Sequence, residues 1–224
     1  MIVALIRHGE YQQPPGVPSA HLPYPLTPEG RAQARRGAQL IIEQARHSGW
    51  RIAEEIHCSR MLRAWQTATL MAEVLQSAEG QPFRVKEYDA LAERCVGAGA
   101  NLTVEQIEGV LAADPRYGLP APGWKRDSSY CLPLQGSESL IAAGARVAGH
   151  LEESLPKADS EVRLYVGHGG AFRHAAYHLG VLTLDSLARL TMAHARAVFL
   201  QRTGPSWSIV AGEFRQRGHG MAAD

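Results

Sequence analysis

Two apolar runs in this chain end on the same chemistry. Ile2-Val3-Ala4-Leu5-Ile6 feeds into Arg7-His8-Gly9-Glu10, and the run from Val162 to Val166 feeds into Gly167-His168-Gly169-Gly170. A short run of buried apolar residues is the signature of a strand covered on both faces. Ligands of such sheets bind beyond the carboxyl ends of the strands, so His8 and His168 stand where a binding crevice is expected. Gly9 and Gly169 let a backbone N–H approach a bound group closely, and Gly169-Gly170 opens a helix whose N-terminus favours an anion. Arg7 precedes His8, and Arg63 sits early in the helix after the second strand. Guanidinium groups match phosphate oxygens through forked, charge-assisted hydrogen bonds. Two imidazoles, two arginines and a helix N-terminus together describe a pocket for a phosphoryl group.

The elements that must hold these residues follow from periodicity and caps. Thr27-Pro28-Glu29 supplies an N-cap, a proline at the first helical position and an early acid, so a helix is predicted from there to about Arg46. Arg51 to Cys58 reads as a strand, and Arg60 to Gln76 as a helix with Leu62, Ala68, Met71 and Leu75 inward. Phe83 to Tyr88 reads as a further strand, and Thr103 to Ala113 as a short helix inside an irregular stretch at about 92–136. Ser137 to Leu155 is predicted helical, with Leu140, Val147, Leu151 and Leu155 on one stripe. The strand ending at Val166 is followed by a helix over Ala171 to Leu179 and by strands over Ala195 to Arg202 and Ser206 to Glu213. Strands alternating with helices predict a three-layer α/β/α fold, with a mainly parallel central sheet and a lid-like insertion at about 92–136. One domain over 1–224 is expected, with the insertion setting specificity.

Composition narrows the function. With 23 basic and 22 acidic residues the net charge is +1, which argues against general attraction to nucleic acid or membrane. Anion binding must therefore come from local placement of charge. No apolar run reaches the ~18 residues of a membrane span, and the N-terminus lacks the basic and small-residue features of a secretory leader. Cys58, Cys95 and Cys131 form neither a disulfide framework nor a zinc pattern. A cytoplasmic setting is the expectation, with no metal and no cofactor.

Other residues have blander readings. Glu10 is expected to be structural, Ser59 to cap the following helix, and Glu138 to meet the dipole of the helix after it. His174 and His178 lie four apart on one helix, a spacing that can bind metal, but no third ligand accompanies them, so packing is the expectation. Cys58 to Arg63 has the wrong offset and too few glycines for a cysteine-phosphatase loop. Gly97-Ala98-Gly99 is only a fragment of a dinucleotide fingerprint.

Taken together, the pieces resemble the histidine phosphatase (phosphoglycerate mutase-like) superfamily. The resemblance rests on Leu5-Ile6-Arg7-His8-Gly9-Glu10, the Pro-Leu-Thr-Pro-Glu-Gly stretch ending at Gly30, and Ser59 with Arg63-Ala64-Trp65-Gln66-Thr67-Ala68. Leu91-Ala92-Glu93-Arg94, Gly136-Ser137-Glu138-Ser139-Leu140 and Gly167-His168-Gly169-Gly170 complete it, in family order. The resemblance implies that His8 is the nucleophile and passes through a phosphohistidine. It implies that Arg7, Arg63 and His168 hold the phosphoryl oxygens, and that Glu93 protonates the leaving oxygen and then deprotonates water. Arg7, Gln13, Arg63 and Gly169 are the implied substrate contacts.

Two departures from the family bear on substrate. Tyr11-Gln12-Gln13-Pro14 stands where mutases carry Trp-Asn, leaving Gln12 or Gln13 to take over a phosphate contact. Cys95 to Thr103 replaces the mutase tyrosine and lysine with small or neutral residues. The leading expectation is a phosphomonoester phosphatase acting on a small phosphorylated substrate, with a phosphoprotein as a further possibility. A phosphoglycerate mutase and a catalytically weak phospho-ligand-binding module are the alternatives.

Overall fold

The computed structural model describes residues 1–18 and 21–218. Its elements in chain order are β1 (Ile2–Arg7), α1 (Pro28–Ser48), β2 (Arg51–Ile52), β3 (Glu55–Ser59), α2 (Leu62–Glu79) and β4 (Arg84–Tyr88). They continue with α3 (Val104–Ala113), α4 (Leu140–Glu153), β5 (Glu161–Gly167), α5 (Gly169–His178), α6 (Leu184–Leu187) and β6 (Leu190–Thr191), and end with β7 (Ala197–Thr203), β8 (Ser206–Ala211) and β9 (Arg215–Gln216).

The seven-stranded sheet runs β4-β3-β5-β1-β7-β8, with β2 also paired to β5. β1, β2, β3, β4 and β5 pair in parallel, β7 joins antiparallel to β1, and β8 closes the order antiparallel to β7. The expected mainly parallel sheet is therefore present. Along β1 the apolar run divides by pleat: Ile2, Ala4 and Ile6 enter one core with Ile41 of α1 and Met71 of α2. Val3 and Leu5 enter the other with Val147 and Leu151 of α4 and Phe172 of α5. Burial on both faces explains why the run is continuously apolar rather than alternating, and it makes the three layers.

The strand expected over Arg51–Cys58 is broken. Ile52 pairs with Val162 of β5, whereas the Glu54 carbonyl accepts from Arg84 N at the start of β4. The ladder with β5 breaks after Ile52 and resumes at His57–Tyr165, with two extra residues on this strand between the two pairings. Leu62, expected inward, is exposed, while Ala68, Met71 and Leu75 are buried as expected. α6 and the β6–β9 pair are too short to leave a periodic signal in the sequence.

The 92–136 stretch packs around a small core of its own, Val96, Ile107, Leu111, Trp124 and Leu132. Its two ends meet at the Val96–Ser137 bridge. Gly97-Ala98-Gly99 is a single 3-10 turn at that closure, with Ala98 N donating to the Gln135 carbonyl.

Candidate active site

Register brings the two histidines together. Arg7 pairs with Gly167 across the parallel β1–β5 ladder, and His8 N donates to the Gly167 carbonyl at 2.9 Å. The residues that follow, His8 and His168, thus emerge side by side, with ring centroids 5.2 Å apart. On the other flank of β5, Cys58 of β3 pairs with Val166, so Ser59 ends beside His168. Four residues later, in the first turn of α2, comes Arg63, 1% exposed.

Arg63 holds both imidazoles. Its Nε donates to His8 Nε2 at 3.1 Å and its NH2 group to His168 Nδ1 at 3.2 Å. A guanidinium has no acceptor, so both ring nitrogens facing it carry lone pairs. The His8 proton is therefore on Nδ1, donated to the Gly9 carbonyl at 2.7 Å. The His168 proton is on Nε2, donated to Ser59 Oγ at 3.0 Å. Burial first, then Arg63, His168 and Arg7, lowers the pKa of His8 well below the usual imidazole value. Burial and Arg63 do the same for His168. Burial also brings Arg63 down to about 10, so it keeps its charge near neutrality. A neutral imidazole in a fixed tautomer is what a nitrogen nucleophile requires, and here its Nε2 lone pair accepts from Arg63 Nε.

Arg7 reaches the same place. It donates to the Met192 carbonyl at 3.0 Å and lies near enough to depress both histidines. Glu93 is buried at the start of α5, where its carboxylate accepts from Gly170 N at 3.1 Å and Ala171 N at 2.9 Å, and from its neighbour Arg94 N at 2.9 Å. The helix N-terminus after His168 is therefore occupied by Glu93. A Cβ on Gly170 would stand 2.8 Å from the Glu93 carboxylate, so only glycine admits this contact. Gly169 is buried at the first position of α5.

Three expectations are corrected. Gly9 does not hold its N–H open for a ligand: it donates to Thr67 Oγ1 at 3.0 Å, and the glycine is needed because its Cα packs on the Gly30 backbone. Glu138 precedes the Ser139 cap of α4 and does not serve the helix dipole. It pairs with Arg146 at 2.5 Å, and Arg146 in turn donates to the Ala90 and Ala92 carbonyls, bracing the segment that carries Glu93. Ser59, expected to cap the following helix, does not: Met61 is the N-cap of α2 and no side chain caps it, while Ser59 Oγ accepts from Met61 N and orients His168. Gln13 is exposed, with its amide donating to the Val17 carbonyl of its own loop at 3.1 Å.

Several residues of the site left no sequence signal. Tyr11 stacks edge-on against His8, with the Arg63 guanidinium 4.6 Å above its ring. His194 donates from Nδ1 to the His8 carbonyl at 2.8 Å across 186 residues of chain. His21 is half-buried; burial first and then Arg63 lower its pKa, against a hydrogen bond to the Glu93 backbone that raises it. Thr67 was inside a quoted segment, and its i+4 spacing from Arg63 marks it as facing the same way. His174 and His178 use different partners, Gly170 with Ser128 and Ile141 respectively. Among the described residues no group of three or more His, Cys, Asp or Glu is arranged to hold a metal ion. Cys58 is buried, which pushes its thiol up to about 12 and removes it as a nucleophile.

The chain is similar over nearly its whole length to solved structures. A mycobacterial glucosyl-3-phosphoglycerate phosphatase, solved with VO3, is 25% identical, with 93% of this chain and 96% of that chain covered and a TM-score of 0.65. The α-ribazole phosphatase from Shigella flexneri shares the fold at 20% identity and a TM-score of 0.68, covering 93% of this chain and 94% of that one. No curated protein sequence matches the chain. The family model for the histidine phosphatase superfamily (branch 1) matches residues 3–213, and the chain belongs to that superfamily.

Proposed function

We propose that the protein is a phosphomonoester phosphatase working through a phosphohistidine on His8. The observation that carries this reading is the tautomer lock: Gly9 takes the Nδ1 proton, and Arg63 faces the Nε2 lone pair at 3.1 Å. In the first step, His8 Nε2 attacks phosphorus, the ester P–O bond breaks, and the leaving oxygen takes a proton from Glu93. In the second, a water oxygen attacks phosphorus while Glu93 takes its proton. The N–P bond then breaks, its electron pair returns to Nε2, and inorganic phosphate leaves. Arg63 and Arg7 supply N–H donors to the phosphoryl oxygens, and charge developing on them is stabilised without reorganising solvent. His168, beside the arriving dianion, takes a proton from solvent and adds a donor. A contact from Gln13 requires its amide to leave Val17.

Small phosphorylated substrates fit this reading, since the similar structures named above are phosphatases of a glucosyl phosphoglycerate and of α-ribazole phosphate by their names. The enclosed site suits them too: His8 is 4% exposed and His168 1%, so a folded phosphoprotein surface has no flat approach. The test is His8→Ala. It is expected to abolish release of phosphate from p-nitrophenyl phosphate, a loss of at least about 10³-fold. Wild-type protein quenched during turnover should carry a phosphate that is acid-labile and base-stable. Turnover within about tenfold of wild type in folded His8→Ala protein would remove the nucleophile.

A further inference from the structure

His8 sits between two peptide groups, and both are held at both ends. In the Arg7–His8 peptide, His8 N donates to the Gly167 carbonyl at 2.9 Å and the Arg7 carbonyl accepts from Ala195 N at 2.8 Å. In the His8–Gly9 peptide, Gly9 N donates to Thr67 Oγ1 at 3.0 Å and the His8 carbonyl accepts from His194 Nδ1 at 2.8 Å. A peptide group is planar, so a bond at each end fixes its orientation, and two fixed planes fix φ and ψ of the residue between them. The last of these bonds has an unusual origin. The β1–β7 ladder ends at the Ile6–Ala197 pair. Just before β7, Ala195 is buried with φ +54°, a left-handed conformation that a residue with a Cβ rarely takes. Its carbonyl packs against α1 at Gly37, where a Cβ would stand 2.2 Å away. Past that turn the next bond to the end of β1 comes from a side chain, that of His194. Strain of this kind persists where the surrounding structure over-determines it, and it gathers at functional sites.

We infer that His194 is a positioning residue for the nucleophile: its Nδ1–H fixes the His8–Gly9 peptide and, through it, the aim of the His8 imidazole at phosphorus. The inference rests on the phosphatase reading and adds a residue to it. His194 acts through the backbone, since its ring stands 5.6 Å from that of His8, whose Nε2 faces Arg63. With only the Thr67 bond left, the His8–Gly9 peptide could turn about that bond. The Nδ1 proton of His8 is held by the Gly9 carbonyl, so such a turn would also loosen the tautomer. In-line attack needs aligned atoms at about 3–3.5 Å, and a misplacement of about 1 Å costs about 10²-fold in rate.

The test replaces one ring nitrogen at a time. Asparagine carries its amide nitrogen at the δ position, where Nδ1 stands, and glutamine carries it at the ε position. With p-nitrophenyl phosphate, His194→Ala should lower kcat by at least about tenfold and leave KM within about threefold of wild type. His194→Asn should bring kcat back to within about threefold of wild type, and His194→Gln should not. A merely structural role would lower Tm and leave kcat of folded His194→Ala protein within about twofold of wild type, which would overturn the inference. Failure of His194→Asn to recover kcat would overturn it too, and recovery by His194→Gln in its place would assign the role to Nε2. If His194→Ala does not fold, the comparison of His194→Asn with His194→Gln decides alone. If wild-type protein does not hydrolyse the ester, the phosphatase reading fails by itself, and nitrogen NMR of isotope-labelled imidazoles decides the inference. His8 should then show the single Nδ1–H tautomer in wild type and His194→Asn, and a mixture of tautomers in His194→Ala and His194→Gln. One tautomer in all four proteins would overturn it.

Discussion

A single guanidinium sets the protonation of the site. Because Arg63 can only donate, the lone pairs on His8 Nε2 and His168 Nδ1 face it, and the protons are placed on the far nitrogens, against Gly9 and Ser59. The proposed acid is tested at the same scale. Glu93→Gln keeps the shape but has no carboxylic proton to give, and its amide can accept backbone N–H groups on one side only. It should slow hydrolysis of an alkyl phosphate by about 10²-fold or more, the usual worth of general acid catalysis. p-Nitrophenyl phosphate, whose leaving group departs unaided, should be slowed far less. Equal slowing of the two in steady-state assays would be evidence against the assignment. Arg7, His8, Arg63, Glu93 and His168 were all named from local segments, and the fold gathers all five around one point. Tyr11, His21 and His194 were not, because a lone aromatic or histidine carries no spacing that separates it from a surface residue.

The elements act as a frame of close backbone contacts. β1 and β5 present their histidines in register, while α2 presents Arg63 and, one turn on, Thr67, which ties the helix to Gly9. α1 is drawn in at Gly30, where a Cβ would stand 1.9 Å from the Glu10 carbonyl. Thr27 caps that helix through Gly30 N at 3.0 Å and also reaches the Glu10 carboxylate at 2.9 Å. Gly30→Ala should therefore destabilise the protein by about 2–3 kcal/mol, the upper range for overpacking, although the same change in an open helix is favourable. It should also lower kcat/KM, because the displaced segment carries His8. Thermal unfolding and steady-state kinetics check both effects, and a raised Tm would show that the two backbones can separate without cost. The helix itself was legible from Thr27-Pro28-Glu29. The clash at Gly30 was not, since its partner is twenty residues away along the chain.

For the molecule as a whole, buried histidines set the response to acid. His57 and His174 are each brought down to about 4, mainly by burial, and His8 and His168 lie well below 6.5 for the same first reason. A folded-state value below the unfolded one means the unfolded chain binds more protons between the two. Their contribution to stability is thus complete above about pH 6.5 and is lost as pH falls towards 4. Tm should hold steady from pH 8 to 7 and decline from 6.5 to 4.5, at about 2–4 °C per kcal/mol in a chain of this size. A Tm higher at pH 5 than at pH 7.5 in calorimetry would contradict the assignment. No helix among the described residues is long and apolar enough to cross a membrane. The sequence by itself determined the alternation of strands and helices, the two-faced burial of β1 and β5, and the short segments whose residues Arg7, His8, Arg63, Glu93 and His168 the fold brings together. Each of these is written in local periodicity, caps or short segments. Tertiary structure alone decided the tautomers of the two histidines, the bracing of the Glu93 segment by Arg146 and Glu138, and the bond from His194 to the His8 carbonyl. Those depend on which atoms meet across tens to hundreds of residues, and neither spacing nor composition encodes such a meeting.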